Sequence, residues 1–194
     1  MFTEPLPPAA AWRHQEARAG FEVSFFEAIQ SGHRIEGSTS AVEDGQAWIV
    51  DYVIEIDDAW ATRRARVSSR SAAAGSRSVT LEADGRGQWR VDGRPAPHLD
   101  GCLDVDLESS SMTNTLPAHR MALAVGAAAE APAAYVRAST LEVVRLGQRY
   151  VRLPDVDRQQ RYDYTAAAFD FRCELVYDAG GLVVAYPGIA VRAS

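Results

Sequence analysis

The stretch HRIEGSTSAVEDGQAWIVDYVIEID, residues 33–57, predicts two long antiparallel strands joined by a tight turn. Asp44-Gly45 divides it, and this dipeptide favours the two-residue turns of β-hairpins. The second half alternates apolar and polar residues, as in a strand with one face in a core. Its apolar positions are Trp48, Val50, Tyr52, Ile54 and Ile56. The segment therefore predicts a β-hairpin.

The same period-two pattern, broken by short turns, continues along most of the chain. Asp84-Gly85, Asp92-Gly93 and Gly180-Gly181 mark further turns between short apolar runs. We count about a dozen strands, and only residues 12–19 and 119–130 are candidates for short helices. Many short strands must protect their edges, so we expect an all-β chain curled into a barrel, a roll or a wrapped sheet. A ligand would bind on its concave face.

Length and charge narrow the class of protein. The 194 residues carry a formal net charge of −6, which fits a single domain and argues against a general nucleic-acid-binding role. We expect residues 1–11 to form a loosely ordered lead-in and residues 12–194 to form the domain. The sequence shows neither the pattern of a secretion signal nor an apolar run of membrane-spanning length. We therefore expect a cytoplasmic protein.

Sequence signatures of catalysis and metal binding are missing. All 20 basic residues are Arg, so there is no Lys for a Schiff base or a phosphate-binding loop. The chain has no nucleophile elbow and no dinucleotide fingerprint, and its His and Cys residues lack zinc-ligand spacing. We predict no catalytic residue, no metal site and no cofactor.

The most unusual segment is GCLDVDLESSSMTNTLP, residues 101–117. Asp104, Asp106 and Glu108 alternate with apolar residues, although Asp is a poor strand former. The acids could face solvent, pair with Arg residues, or contact a ligand or metal ion. Asp104 and Asp106, about 7 Å apart along a strand, would also lie within the range of a glycosidase acid–base pair.

A basic counterpart lies in WATRRARVSSR, residues 60–70. A strand here would place Thr62, Arg64, Arg66, Ser68 and Arg70 on one face. These arginines could neutralise the acidic strand, bind anionic head groups, or simply face solvent.

Two further groups of polar and aromatic residues are candidates for ligand contact. Asn114, Thr115 and Arg120 follow the acidic strand, where they could shape a hydrogen-bonded loop or bind ligand hydroxyls. Trp48, Tyr186 and the other strand aromatics could pack the core or line a cavity for an amphipathic ligand.

Four segments of the chain together resemble the putative glycolipid-binding family, formerly a bacterial domain of unknown function. They are DDAWATRRARV, GQWRVDGRPAPHLDGCLDVDLESSSMTNTLPAHRM, APAAYVRASTLEVVRLGQRYVRL and RYDYTAAAFDFRCELVYDAGGLVVAYPG. The resemblance covers residues 20–192. It implies a single-domain, highly curved antiparallel sheet, a spiral β-roll similar to the half-barrels of lipoprotein carriers. It implies no catalytic residues, since none is defined for the family.

Three hypotheses for function follow. The first is non-enzymatic binding of a glycolipid or fatty-acid derivative in the concavity of the sheet. The second is a hydrolase or lyase acting on a sugar or lipid, with Asp104 and Asp106 as acid and base. The third is a structural or partner-binding module, which a homodimer would support. The predicted ligand-binding residues are Arg64, Arg66, Asp104, Asp106, Asn114, Thr115, Arg120, Trp48 and Tyr186.

Overall fold

The computed structural model describes residues 2–193, and strands are its main secondary structure. They are β1 (Ala9–His14), β2 (Ala19–Ile29), β3 (Gly32–Glu43), β4 (Gln46–Ile56), β5 (Thr62–Ser71), β6 (Gly75–Ala83), β7 (Trp89–Val91), β8 (Arg94–Pro95), β9 (Asp104–Leu107), β10 (Ala128–Glu130), β11 (Ala133–Val136), β12 (Val143–Leu146), β13 (Arg149–Val156), β14 (Gln159–Ala166), β15 (Phe171–Tyr177), β16 (Val183–Tyr186) and β17 (Ala190–Arg192). One α-helix, α1 (Thr115–Met121), and 3₁₀ turns at Pro97–Leu99, Met112–Asn114 and Ala167–Phe169 complete the elements. The predicted all-β class is confirmed.

Fourteen of the strands form one curved sheet, in the order β10-β13-β14-β15-β16-β17-β1-β2-β3-β4-β5-β6-β7-β8. The sheet does not close into a barrel, which confirms the prediction of a highly curved sheet in a single domain. Its two halves meet where β1 pairs with β17, with Trp12 opposite Arg192. Because β1 starts at Ala9, the large sheet begins within the stretch expected to be a lead-in.

A second sheet of three strands, in the order β12-β11-β9, covers part of the inner face of the large sheet. Here β9 and β11 run parallel, which departs from the expected purely antiparallel arrangement. A parallel pair needs a long crossover connection, and residues 108–132, which include α1, provide it. Val105 and Leu107 of β9 pack in the same core as Ile54 and Leu81 of the large sheet. The inner face is therefore largely filled by the chain itself.

Both helix predictions are wrong: residues 12–19 contain no helix, and α1 overlaps the predicted 119–130 only at residues 119–121. Residues 9–14 form β1, because Ala10, Trp12 and His14 alternate into the core. Helix α1 begins at Thr115, before the predicted 119–130, with Pro117 in its first turn, where the missing N–H removes no helical bond. It ends at Met121, and the C-cap residue Ala122 has a left-handed φ of 43°. Within residues 2–193, α1 and every other helix falls short of the length and apolarity that crossing a membrane requires.

Candidate functional site

The acidic strand β9 is buried rather than solvent-facing. Asp104 is 1% exposed, and Arg120 of α1 holds its carboxylate from two nitrogens. The Arg120 Nη2–Asp104 Oδ2 distance is 2.5 Å. Burial raises the pKa of Asp104, and the hydrogen bond and charge of Arg120 oppose that rise. Asp104 thus pairs with an arginine of the helix, and not with those of residues 60–70.

Asp106, two residues further along the same face, has only neutral hydrogen-bond partners. Thr113 Oγ1 donates to Oδ1 at 2.9 Å, and Gln148 Nε2 donates to Oδ2 at 2.5 Å. Burial, reinforced by the charges of Asp104 and Glu108, raises the pKa of Asp106 to about 6. The two hydrogen bonds oppose this shift but do not cancel it. Asp106 is therefore a buried carboxyl without a cationic partner, and its pKa lies well above the ordinary value for Asp.

The run after β9 is a buried, hydrogen-bonded loop. Asn114 Oδ1 accepts a bond of 2.9 Å from the Tyr150 hydroxyl, and its carbonyl accepts one of 3.0 Å from Tyr177. Thr115 is fully buried at the start of α1, and its hydroxyl has no protein partner. These bonds hold the loop against the tyrosines of β13 and β15 and fix the position of Asn114.

A cavity of about 210 Å³ lies between the end of β9, this loop and the C-terminal half of the large sheet. Its apolar wall contains five aromatic rings, and its polar side contains carboxylate, amide, hydroxyl and guanidinium groups. The lining residues are Arg18, Asp106, Leu107, Glu108, Ser110, Asn114, Tyr135, Leu146, Tyr164, Ala166, Phe169, Phe171, Tyr186 and Ile189. It brings together three of the predicted residues: Asp106, Asn114 and Tyr186.

Other predicted residues lie elsewhere. Arg64 and Arg66 are exposed on the outer face of β5, where Arg66 borders a separate shallow groove. A register shift at Glu55/Ile56 turns Thr62 inward, so it does not share the face of Arg64 as expected. Trp48 is buried, with the Arg18 guanidinium 5.3 Å from its ring centroid.

The site also contains residues that the sequence analysis did not identify, among them Arg18, Tyr164 and Phe171. Arg18 lies just before β2, and its Nη1 donates to the Glu108 carbonyl at 3.0 Å. Tyr164 lies in β14 and Phe171 in β15. Their strands were predicted, but which residues face the cavity depends on long-range pairing that no local motif encodes.

Beside the cavity lies a buried carboxyl that was also missed, that of Glu22 in β2. Its oxygens accept bonds from Tyr52 Oη at 2.7 Å, from Ser111 N at 2.7 Å and from the Ser110 hydroxyl. Burial raises the pKa of Glu22, although these bonds oppose the rise. A side chain on Gly37 would overlap the Tyr52 ring, with its Cβ only 2.2 Å from Cζ. The glycine therefore lets Tyr52 reach across β3 to Glu22.

A metal site would need at least three His, Cys, Asp or Glu side chains close together. No such cluster is found among residues 2–193. The carboxylates of β9 are instead engaged by Arg120, Thr113 and Gln148.

Comparisons with known proteins place the chain in a family. A family model described as "Putative glycolipid-binding" matches residues 9–192. A crystal structure of a DUF1089 family protein from Pseudomonas aeruginosa is 34% identical, with a TM-score of 0.76, over 89% of this chain and 92% of that chain. No curated protein matches. The family match spans every strand of both sheets, from β1 to β17, and so includes the cavity. The chain belongs to the putative glycolipid-binding family.

Proposed function

We propose that the protein binds an amphipathic ligand of the glycolipid class, with the head group in the aromatic cavity and the acyl part outside it. The observation that carries this proposal is one cavity with an aromatic wall and a polar side. Ligand sites combine these two features, because apolar surface provides affinity and a few polar groups fix orientation.

The size of the cavity favours a head group over a lipid chain. Its volume is about 210 Å³, whereas pockets that bury a drug-sized ligand have roughly 300–1,000 Å³. A cavity of about 150 Å³ is enough to hold a benzene ring. One six-membered sugar ring therefore fits this space, and acyl chains would not be enclosed by the sheet as the sequence hypothesis supposed.

The polar groups of the cavity suit hydroxyl-rich head groups. Asp106 offers carboxylate oxygens as acceptors, and Glu108 and Arg18 add charged groups that are held in place by other parts of the protein. The Tyr164 and Tyr186 rings add flat surfaces on which the apolar face of a sugar can lie.

The aromatic rim gives the acyl part a place to lie. Phe169 is 45% exposed and packs against Tyr135 with ring centroids 5.4 Å apart. An exposed ring beside a cavity adds apolar surface that an acyl chain can cover, which is favourable in water.

Titration with octyl β-glucoside, octanol and glucose, followed by ¹H–¹⁵N chemical shifts, tests the proposal. We expect octyl β-glucoside to shift the amides of residues 164–171 and 186 and to bind more tightly than either fragment. Shifts confined to the outer face, or no saturable binding by any lipid-like glycoside, would overturn it.

Two phenylalanines provide a matched pair of variants for this titration. Phe169 borders the cavity and Phe25 borders the outer groove, and the two are similarly exposed, at 45% and 58%. Phe169→Ala should weaken binding of octyl β-glucoside several-fold, whereas Phe25→Ala should leave it unchanged. The opposite result would place the ligand on the outer face.

The geometry does not favour hydrolysis by Asp104 and Asp106 as an acid–base pair. Such a pair must reach the substrate from both residues. Asp104 is in bidentate contact with Arg120 and does not line the cavity. Binding is therefore the better-supported function.

A second candidate function is self-association through the outer face. Strand β2 exposes Phe21 and Phe25, at 42% and 58%, on the side away from the core. Multi-angle light scattering should then give a dimer mass that Phe21→Ser with Phe25→Ser converts to a monomer mass. A monomer for the unaltered chain at all concentrations would exclude this candidate.

A further inference from the structure

Five aromatic side chains line the cavity, which is partly open to solvent. Tyr164, Phe171 and Tyr186 lie edge to face with one another, with centroids 5.8–6.3 Å apart and interplanar angles of 61–85°. Tyr135 and Phe169 form a second pair, with centroids 5.4 Å apart. Aromatic faces placed around a cavity attract a cation through their quadrupoles, as in quaternary-ammonium sites.

Asp106 supplies a negative charge that the protein itself does not balance at close range. Its two bonds come from the Thr113 hydroxyl and the Gln148 amide, both neutral donors. A carboxylate has about four lone-pair sites, so roughly half of its acceptor capacity remains for a ligand. Asp104, by contrast, is paired with Arg120 at 2.5 Å.

The other charges at the cavity are already engaged. Glu108 accepts a bond of 2.8 Å from the Ala138 N–H and lies 3.8 Å from Arg137. Arg18 stacks on Trp48, donates to the Glu108 carbonyl and lies 3.9 Å from Glu43. Asp106 is thus the cavity carboxylate best placed to act as counter-ion for a bound cation.

We propose that the head group bound in this cavity carries a cationic nitrogen, with Asp106 as counter-ion and the rings of Tyr164, Phe171 and Tyr186 around it. This inference deepens the proposed function and rests on it for the location of the site. The chemistry is shared by an amino sugar and by a choline-type head group. The cavity, at about 210 Å³, accommodates a group of either kind.

Paired probes that differ in charge test the proposal. Choline is compared with its neutral isostere 3,3-dimethylbutan-1-ol, and glucosamine with glucose, by chemical-shift titration of the full chain at pH 7, where the glucosamine amine is mostly protonated. We expect at least one cation to bind about tenfold more tightly than its neutral counterpart. The pair that shows the preference identifies the type of head group. Equal affinities within both pairs would overturn the inference.

Two variants, each with a control variant, test the roles of the Asp106 charge and of the aromatic rings. Asp106→Asn should abolish the preference for the cation, whereas Asp51→Asn, on the outer face, should leave it intact. Phe171→Leu should weaken binding of choline or glucosamine several-fold, while Phe25→Leu, on the outer face, should not. A preference that survives in Asp106→Asn would show that the counter-ion is another group. Circular dichroism of each variant checks that it is folded.

The preference should also depend on pH. The ionisable groups around Asp106 are Asp104 and Glu108 from its own segment, Arg18, and five tyrosines: Tyr135 of β11, Tyr150 of β13, Tyr164 of β14, Tyr177 of β15 and Tyr186 of β16. Asp106, with its pKa of about 6, is expected to gain a proton and lose its charge between pH 8 and pH 5. Affinity for choline, whose own charge does not change with pH, should therefore fall about tenfold over that range. A pH-independent preference would contradict the role of Asp106.

The outcomes separate this inference from the proposed function. If octyl β-glucoside binds in the cavity and no cation is preferred, the function stands and the inference is wrong. If choline or glucosamine binds and no glycoside with an alkyl chain does, the inference stands and glycolipid binding is wrong. If no probe binds, both are wrong.

Discussion

Asp104 and Asp106 of β9 are both buried, but the protein surrounds their carboxylates with different partners. Asp104 is neutralised by Arg120, which reaches it from α1. Asp106, two residues away, meets only a hydroxyl and an amide and opens on the cavity. A paired buried carboxylate is structural, whereas an ionised, unpaired one at a cavity costs stability that a cationic ligand can recover. The difference separates the framework of the site from its binding group.

The largest expected effect on stability comes from removing the cationic partner of Asp104, so that its carboxylate is unpaired like that of Asp106. Arg120→Ala leaves a buried carboxylate without its partner, which typically costs about 3–5 kcal/mol. Urea unfolding at pH 7 measures the loss. Arg149→Ala, which removes a pair between exposed side chains, should cost less than about 1 kcal/mol. Equal losses for the two variants would show that the Asp104 pair is no more important than a surface pair.

The converse change neutralises Asp106. Its pKa is raised from 3.8 to about 6 on folding, so between these values the folded chain holds a proton that the unfolded chain has released. Stability therefore falls as pH rises through this window, by about 3 kcal/mol in total. Asp106→Asn should lack this loss and be the more stable protein at pH 8.

Urea unfolding of both proteins at pH 3.5, 5 and 8 measures this effect. Glu22 and Asp104, whose pKa values are also raised, contribute slopes of the same sign to both proteins, so the difference between the two proteins reports mainly on Asp106. A difference that stays constant with pH would mean that Asp106 titrates alike in the folded and unfolded chains.

The hairpins were predictable because their signals are local. Asp44 and Gly45 both adopt left-handed φ values, of 49° and 73°, as expected for the turn in the opening stretch. The pairing of β1 with β17 and the parallel pairing of β9 with β11 were not predictable. Each joins segments far apart in sequence, and the period-two pattern carries no information about the partner strand.

The site was predictable only where its residues lie in one segment. Asp106 and Asn114 stood out within residues 101–117, whereas Phe171 reaches the cavity from a distant strand. Strand β2 even inverts its pattern, with Glu22 and Ser24 buried and Phe25 58% exposed. Hydrophobic alternation predicts the opposite faces. The inversion depends on Tyr52, Ser110 and other donors that only the folded chain brings to Glu22.

Glu22 is a third buried carboxyl, and its oxygens accept several hydrogen bonds from neighbouring residues. Glu22→Ala leaves Ser110, Ser111 and Tyr52 without that acceptor, and an unsatisfied buried polar group costs about 1–3 kcal/mol. Glu22→Gln, which keeps a hydrogen-bonding side chain of the same length, should cost less. Urea midpoints compare the two variants. A Glu22→Ala protein as stable as the unaltered chain would contradict a structural role for these bonds.

The smallest effect is expected on the outer face, at the arginines first considered as ligand contacts. Arg64 and Arg66 are exposed. Within residues 2–193, neither side chain forms an ion pair of 4 Å or less. Arg64→Ala with Arg66→Ala should change stability by no more than about 0.5 kcal/mol per site. It should also leave binding of octyl β-glucoside unchanged, as measured by chemical-shift titration. If the double variant loses binding while Phe169→Ala retains it, the head group is held by arginines of the outer face. The contrast between Asp104 and Asp106 would then concern stability alone.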